Sequence, residues 1–235
     1  MKKILTIAFF CMIMVMTYAQ EPQDKKTSGK KFTTGIALYN DFWQGDLSGV
    51  KPRSLQQGAE VYFTYNIPVE HSPLLFTIGS GIGSHNFYSN TILQQNEQGI
   101  YQFYRVDNIE KDTAGNLYNY KKSKLSVTYW DFPFELRYNA KKGFRMGVGM
   151  KFGFVLNSLT KYKGDDLTGS GNTIKLKTKD IKNLEKWRYA LTASVGYKWL
   201  ELYGCYSLSK VFKKDKGPEL YPISVGLNLR PLFLN

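Results

Sequence analysis

Cysteine, histidine and long apolar segments are scarce in this 235-residue sequence. Its two cysteines are Cys11 and Cys205, and its two histidines are His71 and His85. Two histidines are too few for a histidine-rich metal site, and we expect no cofactor. After residue 16, no apolar stretch approaches the ~20 residues that a transmembrane helix needs. Such a chain can cross a membrane only as a closed β-barrel, because an open sheet edge would leave backbone groups without hydrogen-bond partners in lipid.

The first nineteen residues have the order of a secretory signal peptide. Lys2 and Lys3 precede an apolar run over residues 4–16, and Ala19 completes a small-x-small cleavage site. A membrane anchor helix is the alternative, but the run is shorter than a bilayer span requires. Cleavage after Ala19 would leave Cys205 as the single cysteine of the mature chain, which excludes an internal disulfide.

We expect protein recovered from membranes to begin at Gln20, because the charged start, the apolar run and the small residues occur in the order that signal peptidase requires. N-terminal sequencing measures this directly. An intact Met1 on the mature protein would contradict the prediction.

Basic residues outnumber acidic ones. The chain has 32 lysines and arginines against 19 aspartates and glutamates, which gives a formal net charge of +13. A basic balance is typical of proteins that meet nucleic acid or acidic lipid, and of chains with a merely solvated basic surface. Export makes nucleic acid the least favoured of these partners.

A period of two dominates the sequence after residue 31, which is the period of β-strands. Within residues 144–157 one parity is apolar: Phe144, Met146, Val148, Met150, Phe152, Phe154 and Leu156. The other parity is mostly small or charged: Arg145, Gly147, Gly149, Lys151, Gly153, Val155 and Asn157. A soluble barrel packs its apolar parity inside, where glycines and charges would be out of place. The pattern instead favours a barrel whose apolar parity faces lipid and whose lumen holds the glycines and charges.

Eight segments share this alternation, and they lie near residues 32–43, 57–67, 74–88, 122–138, 143–157, 186–199, 201–212 and 220–233. The connections after the second, fourth and sixth are short, whereas 89–121 and 158–185 are long. Short periplasmic turns and long outer loops are typical of outer-membrane barrels. We therefore predict an all-β fold, an eight-stranded antiparallel transmembrane up-and-down β-barrel over 32–235, after a signal peptide over 1–19 and a short segment over 20–31.

Three stretches carry a family resemblance: GIGSHNFYSN over 81–90, TYWDFPFELRY over 128–138 and YPISVGLNL over 221–229. They resemble the PorT-like outer-membrane β-barrel proteins of Bacteroidota over most of the mature chain. The resemblance implies a small integral outer-membrane barrel. The member that gives the family its name is associated with type IX secretion. The motifs alone do not carry that role to this chain, so a role accessory to secretion is one candidate within a structural or envelope-assembly function.

The inward parity predicts an ionic network in place of an open channel. An eight-stranded barrel has a lumen that side chains fill, so passive diffusion is excluded. Pairing Tyr138 with Phe144 would place Asp131 opposite Lys151, Glu135 opposite Gly147, and Arg137 opposite Arg145. The predicted network consists of Glu60, Asp131, Glu135, Arg137, Arg145, Lys151, Arg188, Lys198 and Arg230.

Lysines are concentrated in the connection over 158–185. They could contact the phosphates of lipopolysaccharide, or they could form a merely solvated loop. The candidate contacts are Lys161, Lys163, Lys175, Lys177, Lys179 and Lys182.

An enzymatic role has little support in the sequence. Ser84 and His85 stand at the outer end of a predicted strand, where some barrels carry lipid A hydrolase or acyltransferase sites. Adjacent strand residues face opposite sides, however, so these two cannot form a nucleophile and base pair. We predict a structural, envelope-assembly or interaction barrel with no catalytic residues. The alternatives are a lipid A-modifying enzyme with its site at the outer rim and a soluble periplasmic lipocalin-like binder. The expected partners are outer-membrane lipid and lipopolysaccharide. No motif identifies an envelope protein partner, and no nucleic acid is expected.

Overall fold

The computed structural model describes residues 31–106, 119–140, 142–166 and 172–230. These residues form eleven strands: β1 (Phe32–Gly45), β2 (Gln57–Pro68), β3 (Leu74–Tyr88), β4 (Thr91–Gln95), β5 (Tyr101–Arg105), β6 (Tyr120–Asn139), β7 (Phe144–Asp165), β8 (Thr173–Lys179), β9 (Trp187–Tyr197), β10 (Leu200–Ser207) and β11 (Leu220–Leu229). The predicted signal peptide and the last residues of the eighth predicted strand lie outside the described residues.

Eight of these strands close into one antiparallel barrel. The order around the barrel is β6, β3, β2, β1, β11, β10, β9 and β7, and pairing between β6 and β7 completes the circle. Each barrel strand pairs with its sequence neighbours in the barrel, and β1 pairs with β11. The predicted eight-stranded up-and-down barrel is therefore confirmed.

Alternation along the strands places apolar side chains outside and polar ones inside. On β7, Met146, Val148 and Met150 are exposed on the outer face. Arg145 and Lys151, on the other parity, are buried. Exposing so many apolar side chains to water would be unfavourable. The arrangement is that of a barrel whose outer face contacts the hydrocarbon core of a bilayer. No helix in the described residues is long and apolar enough to cross a membrane.

The register between β6 and β7 differs from the prediction by two residues. Tyr138 pairs with Met146 instead of Phe144, and Asp131 pairs with Gly153 instead of Lys151. The turn explains the shift, because Gly143 adopts a φ of 93°, which displaces the centre of the connection towards β7. A shift of two keeps every side chain on its predicted face, but it changes the partner of each one.

A β-bulge interrupts the pairing of β6 and β7 near their extracellular ends. Thr128 pairs with Asn157 and Tyr129 pairs with Val155, so Leu156 is an extra residue on β7. Above the bulge the odd-numbered residues of β7 face outward. Asn157, predicted on the inner parity, is exposed for this reason.

The two connections predicted as long loops contain strands. Residues 91–105 form the β4–β5 hairpin, and β8 pairs with the upper part of β7 opposite Leu159 to Asp165. The seventh barrel strand ends at Ser207 instead of residue 212, because residues 208–219 turn back over the end of the barrel. These elements form an extracellular extension at the end opposite the short turns.

Candidate functional site

The centre of the lumen holds a buried ion pair between Lys151 of β7 and Glu60 of β2. The Nζ of Lys151 lies 2.6 Å from Oε1 of Glu60 and donates to the hydroxyl of Tyr203 at 2.8 Å. Both charged side chains are almost completely inaccessible to solvent. The two strands are not neighbours, so this pair crosses the lumen. The sequence prediction that Lys151 pairs with Asp131 was wrong, because the two-residue register shift places Asp131 opposite Gly153.

Asp131 instead pairs with Arg188 of β9. The Nη1 of Arg188 lies 2.6 Å from Oδ2 of Asp131, and its Nε donates to Ser207 at 3.3 Å. The guanidinium carbon lies 4.9 Å from the ring centroid of Tyr129. The guanidinium of Arg188 is thus held between a carboxylate and an aromatic ring, and the ion pair bridges Gly153 of the intervening strand β7.

Glycine makes room for this carboxylate. A Cβ atom on Gly153 would lie 2.0 Å from Oδ1 of Asp131 and 2.9 Å from the carbonyl oxygen of Trp130. No larger residue fits there without moving the ion pair. The inward glycines of β7 thus leave space for charged side chains from the neighbouring strand.

A second cluster, the periplasmic cluster, lies nearer the short turns and consists of Glu135, Arg137, Glu201 and Arg230. Arg137 Nη1 lies 3.0 Å from Oε2 of Glu135, and Arg230 Nη2 lies 3.2 Å from the same oxygen. Arg137 also forms an ion pair with Glu201. Glu201 was missing from the prediction, although its alternation with Leu200 and Leu202 already indicated an inward position.

Arg145 and Lys198 differ from the other predicted members. Arg145 is buried at the inner face near the short turn, and no ion pair joins it to another described residue. Lys198 is exposed and was predicted wrongly as a lumen residue. It lies in the β9–β10 turn with a φ of 53°, which breaks the alternation, and its Nζ lies 5.3 Å from the ring centroid of Tyr197.

A histidine cluster lies above the central pairs. His85 Nδ1 lies 3.0 Å from Oδ1 of Asp41, its Nε2 lies 3.4 Å from the hydroxyl of Tyr39, and Ser224 donates to Asp41 at 2.6 Å. Serine, histidine and aspartate are the residue types of a catalytic triad, but their hydrogen bonds do not follow the order of a triad. The serine contacts the carboxylate and not the imidazole, so His85 is not placed to take its proton as the histidine of a triad does. Ser84 lies near the hydroxyl of Thr128 at 3.5 Å, whereas His85 is buried in the lumen.

An apolar cap closes the extracellular end of the lumen. It is built from barrel strands and from the extracellular connections: Trp43, Phe87, Leu93, Leu125, Val127, Tyr129, Ile181, Leu184, Val211, Phe212 and Leu220. The β4–β5 hairpin contributes to it, since the ring centroids of Phe103 and Phe87 lie 5.4 Å apart, and those of Tyr101 and Phe212 lie 5.7 Å apart. The cap separates the charged lumen from the outside.

Most of the predicted lipopolysaccharide contacts lie on strands and not in a loop. Lys161 pairs with Lys177 across β7 and β8, and Lys163 pairs with Lys175. Lys179 lies next to them, opposite Leu159, whereas Lys182 is exposed in the connection to β9. Two further lysines extend this arrangement onto β6, because Lys122 pairs with Lys163 and Lys124 pairs with Lys161. We call the six paired lysines the lysine face.

The described residues contain no group of three or more histidine, cysteine, aspartate or glutamate side chains that could hold a metal ion.

Comparisons with known proteins add the following. One similar solved structure is that of Ail, the attachment invasion locus protein of Yersinia pestis, in complex with the heparin analogue sucrose octasulfate. Its sequence is 9% identical to this chain, the TM-score is 0.38, and the match covers 85% of this chain and 97% of Ail. A second Ail structure is 11% identical with a TM-score of 0.37 at the same coverage. A mutant Rh. blastica porin is 8% identical with a TM-score of 0.22, and the match covers 85% of this chain and 99% of the porin. No curated protein matches the chain.

A family model for the outer membrane protein beta-barrel domain matches residues 23–213, which is most of the chain. The match agrees with the closed barrel, its apolar exterior and its charged lumen. The chain is an outer-membrane β-barrel protein, and it belongs to the outer membrane protein beta-barrel domain family.

Proposed function

We propose that this protein is a closed, non-enzymatic outer-membrane scaffold that acts through contacts of its extracellular end with other envelope components. The observation that carries the proposal is the filled lumen. The Lys151–Glu60 pair crosses its centre, the Asp131–Arg188 pair lies over Gly153 of the intervening strand β7, and the apolar cap covers its outer end. A barrel built in this way offers no path for solutes, so its useful surfaces are the outer ones.

Lipopolysaccharide is one partner in this proposal, and an envelope protein is the other. The basic residues that support the first are Lys161, Lys163, Lys175, Lys177, Lys179 and Lys182. The resemblance to PorT-like proteins of Bacteroidota favours a protein partner in an envelope-assembly or secretion machine. The lipid A-modifying alternative gains no support from the site, because Ser84 and His85 do not face each other.

We expect the purified protein to give no stable channel openings in planar lipid bilayers, because ion pairs and the cap block the lumen. A general porin added to the same bilayers shows that openings would be detected. Regular conductance steps of the size that porins give would contradict a closed scaffold.

Crosslinking in intact cells, followed by purification from outer membranes, tests the interaction role. We expect defined crosslinked partners when the crosslinker is attached at exposed positions of the extracellular extension, such as Lys214. Attachment at Lys198, in the periplasmic β9–β10 turn, is the matched control for position. The same partners from both positions, or none from the extension, would contradict a role of the extracellular end.

A further inference from the structure

The lysine face is a grid of like charges on one surface. Three strands contribute two rows, Lys122–Lys163–Lys175 and Lys124–Lys161–Lys177. Adjacent strands lie about 5 Å apart, and residues two apart on a strand lie about 7 Å apart. Like charges directly opposite each other destabilise a sheet. Six ammonium groups at this spacing therefore repel one another unless anions lie between them.

The β-bulge turns the two lysines of β7, Lys161 and Lys163, to the outside. Below Leu156 the outward residues of β7 are even-numbered, such as Phe152 and Phe154, and above it they are odd-numbered. Without the extra residue, Lys161 and Lys163 would point inward, where Tyr162 packs against Ile92 and Val106. The bulge thus places Lys161 and Lys163 on the side of the barrel that faces lipid lower down, the side on which Lys122 and Lys124 of β6 also lie.

Among the described residues, no acidic side chain forms an ion pair with the lysine face. Lys124 donates to the neutral amide oxygen of Asn86 at 2.6 Å, which leaves its charge uncompensated. Asp165, at the far end of the same side of β7, accepts a hydrogen bond from the backbone N–H of Asn119 at 3.2 Å. Other neighbours of the lysine face are aromatic or basic. Lys122 Nζ lies 5.2 Å from the ring centroid of Tyr88, and Arg53 Cζ lies 6.0 Å from the same centroid.

The positive charges around Lys124 affect its pKa. This lysine lies on the part of β6 that extends beyond the bilayer, and its pKa is lowered to about 8, first by burial and then by the charges of its lysine neighbours. A bound anion would offset the repulsion that lowers this pKa.

The height of the lysine face above the membrane identifies the anion. Trp130 and Trp187 mark the outer aromatic girdle, and they pack around Phe154 on the lipid side. Lys124 is six residues beyond Trp130 on β6, which is about 15 Å along the axis of a tilted barrel. At that height an outward surface faces the phosphorylated sugars of neighbouring lipopolysaccharide and not the bulk solution.

We propose that the lysine face is a binding site for clustered phosphates of lipopolysaccharide molecules in the same leaflet. The inference rests on the proposed function, since it requires the barrel to lie in the outer membrane, and it assigns the residues and the phosphate chemistry of that contact. The extended β6–β7–β8 sheet holds the lysines in fixed rows, so several phosphates bind at once with little loss of backbone freedom.

The test compares two variants with the same loss of charge. One carries Lys161→Gln, Lys163→Gln, Lys175→Gln and Lys177→Gln. The matched control carries glutamine at four exposed lysines of other extracellular segments: Lys51, Lys213, Lys214 and Lys216. Each purified barrel in neutral detergent is titrated with lipopolysaccharide, with chemically dephosphorylated lipopolysaccharide, with inorganic phosphate and with dextran sulfate.

We expect the lysine-face variant to bind lipopolysaccharide several hundredfold more weakly than the parent, since one lysine near an anionic surface contributes roughly fivefold and four act together. The control variant should lose less than about tenfold. Without lipopolysaccharide the lysine-face variant should unfold at a temperature equal to or above that of the parent, because repulsion has been removed. This readout separates loss of the site from loss of folding.

Three results would overturn the proposal. They are equal losses in the two variants, undiminished binding of dephosphorylated lipopolysaccharide, and binding of dextran sulfate or inorganic phosphate as tight as that of lipopolysaccharide. The last would indicate a soluble anion in place of a lipid. None of these results bears on the closed lumen, which the conductance measurement tests separately.

Discussion

Lys151→Met is expected to lower the free energy of unfolding by about 3 to 5 kcal/mol, because it leaves the carboxylate of Glu60 buried without its counter-ion. Lys151 Nζ lies 2.6 Å from Oε1 of Glu60, and water cannot easily replace it at the centre of the lumen. The methionine keeps most of the side-chain volume, so the loss reports the charge. Urea unfolding of the barrel in detergent micelles or lipid vesicles measures it.

A double-mutant cycle isolates the pair. Glu60→Gln combined with Lys151→Met removes both charges, and we expect it to recover much of the stability lost in the single variants. Asp131→Asn combined with Lys151→Met is the control for two lumen charges that are not direct partners, because Asp131 pairs with Arg188. Strictly additive losses for Glu60 and Lys151 would show that the ion pair does not exist.

Parity could be predicted from the sequence, but register could not. The apolar and charged residues of 144–157 alternate so regularly that the lipid side and the lumen side follow from burial alone. A shift of two residues leaves that alternation unchanged, so burial cannot distinguish Lys151 from Gly153 as the residue opposite Asp131. Steric fit does distinguish them, since Gly153 leaves the space that the carboxylate occupies.

The lysine face was only partly predicted from the sequence. Lysines of 158–185 were identified as candidates, but Lys122 and Lys124 were not, because they stand on a predicted barrel strand. The extra residue Leu156 aligns the outward lysines of β7 with those of β6. A single inserted residue has no marker in the sequence, since Leu156 is itself apolar and continues the outward pattern of β7.

Contacts between side chains on opposite walls of the lumen could not be predicted from the sequence either. Lys151 and Glu60 are 91 residues apart on strands that do not pair with each other, and their contact depends on how the closed barrel places opposite walls. The apolar cap is similar, because it combines residues of four barrel strands with residues of three extracellular connections. Local alternation carries no information about such contacts.

Phe134→Lys is expected to cost about 2 to 4 kcal/mol of stability in lipid vesicles, because it places a charge on the outer face near the bilayer midplane. Phe134 is 41% exposed on that face and lies midway along β6 between Trp130 and Tyr138. These two residues are eight positions apart, which is about 20 Å along a tilted barrel axis, so they approach the two interfaces of the hydrocarbon layer. Tryptophan and tyrosine are enriched at such interfaces.

Phe144→Lys is the matched control for depth. Phe144 is also a phenylalanine, is 42% exposed, and begins β7 directly after the short periplasmic turn. A lysine at this level can extend its ammonium group to the interface, so the expected cost is at most about 1 kcal/mol. Both variants are unfolded in urea from vesicles of the same composition, and again in detergent micelles, where the dependence on depth should decrease. Equal costs at the two positions in vesicles would mean that β6 and β7 do not cross the bilayer in the way that their exposed apolar residues indicate.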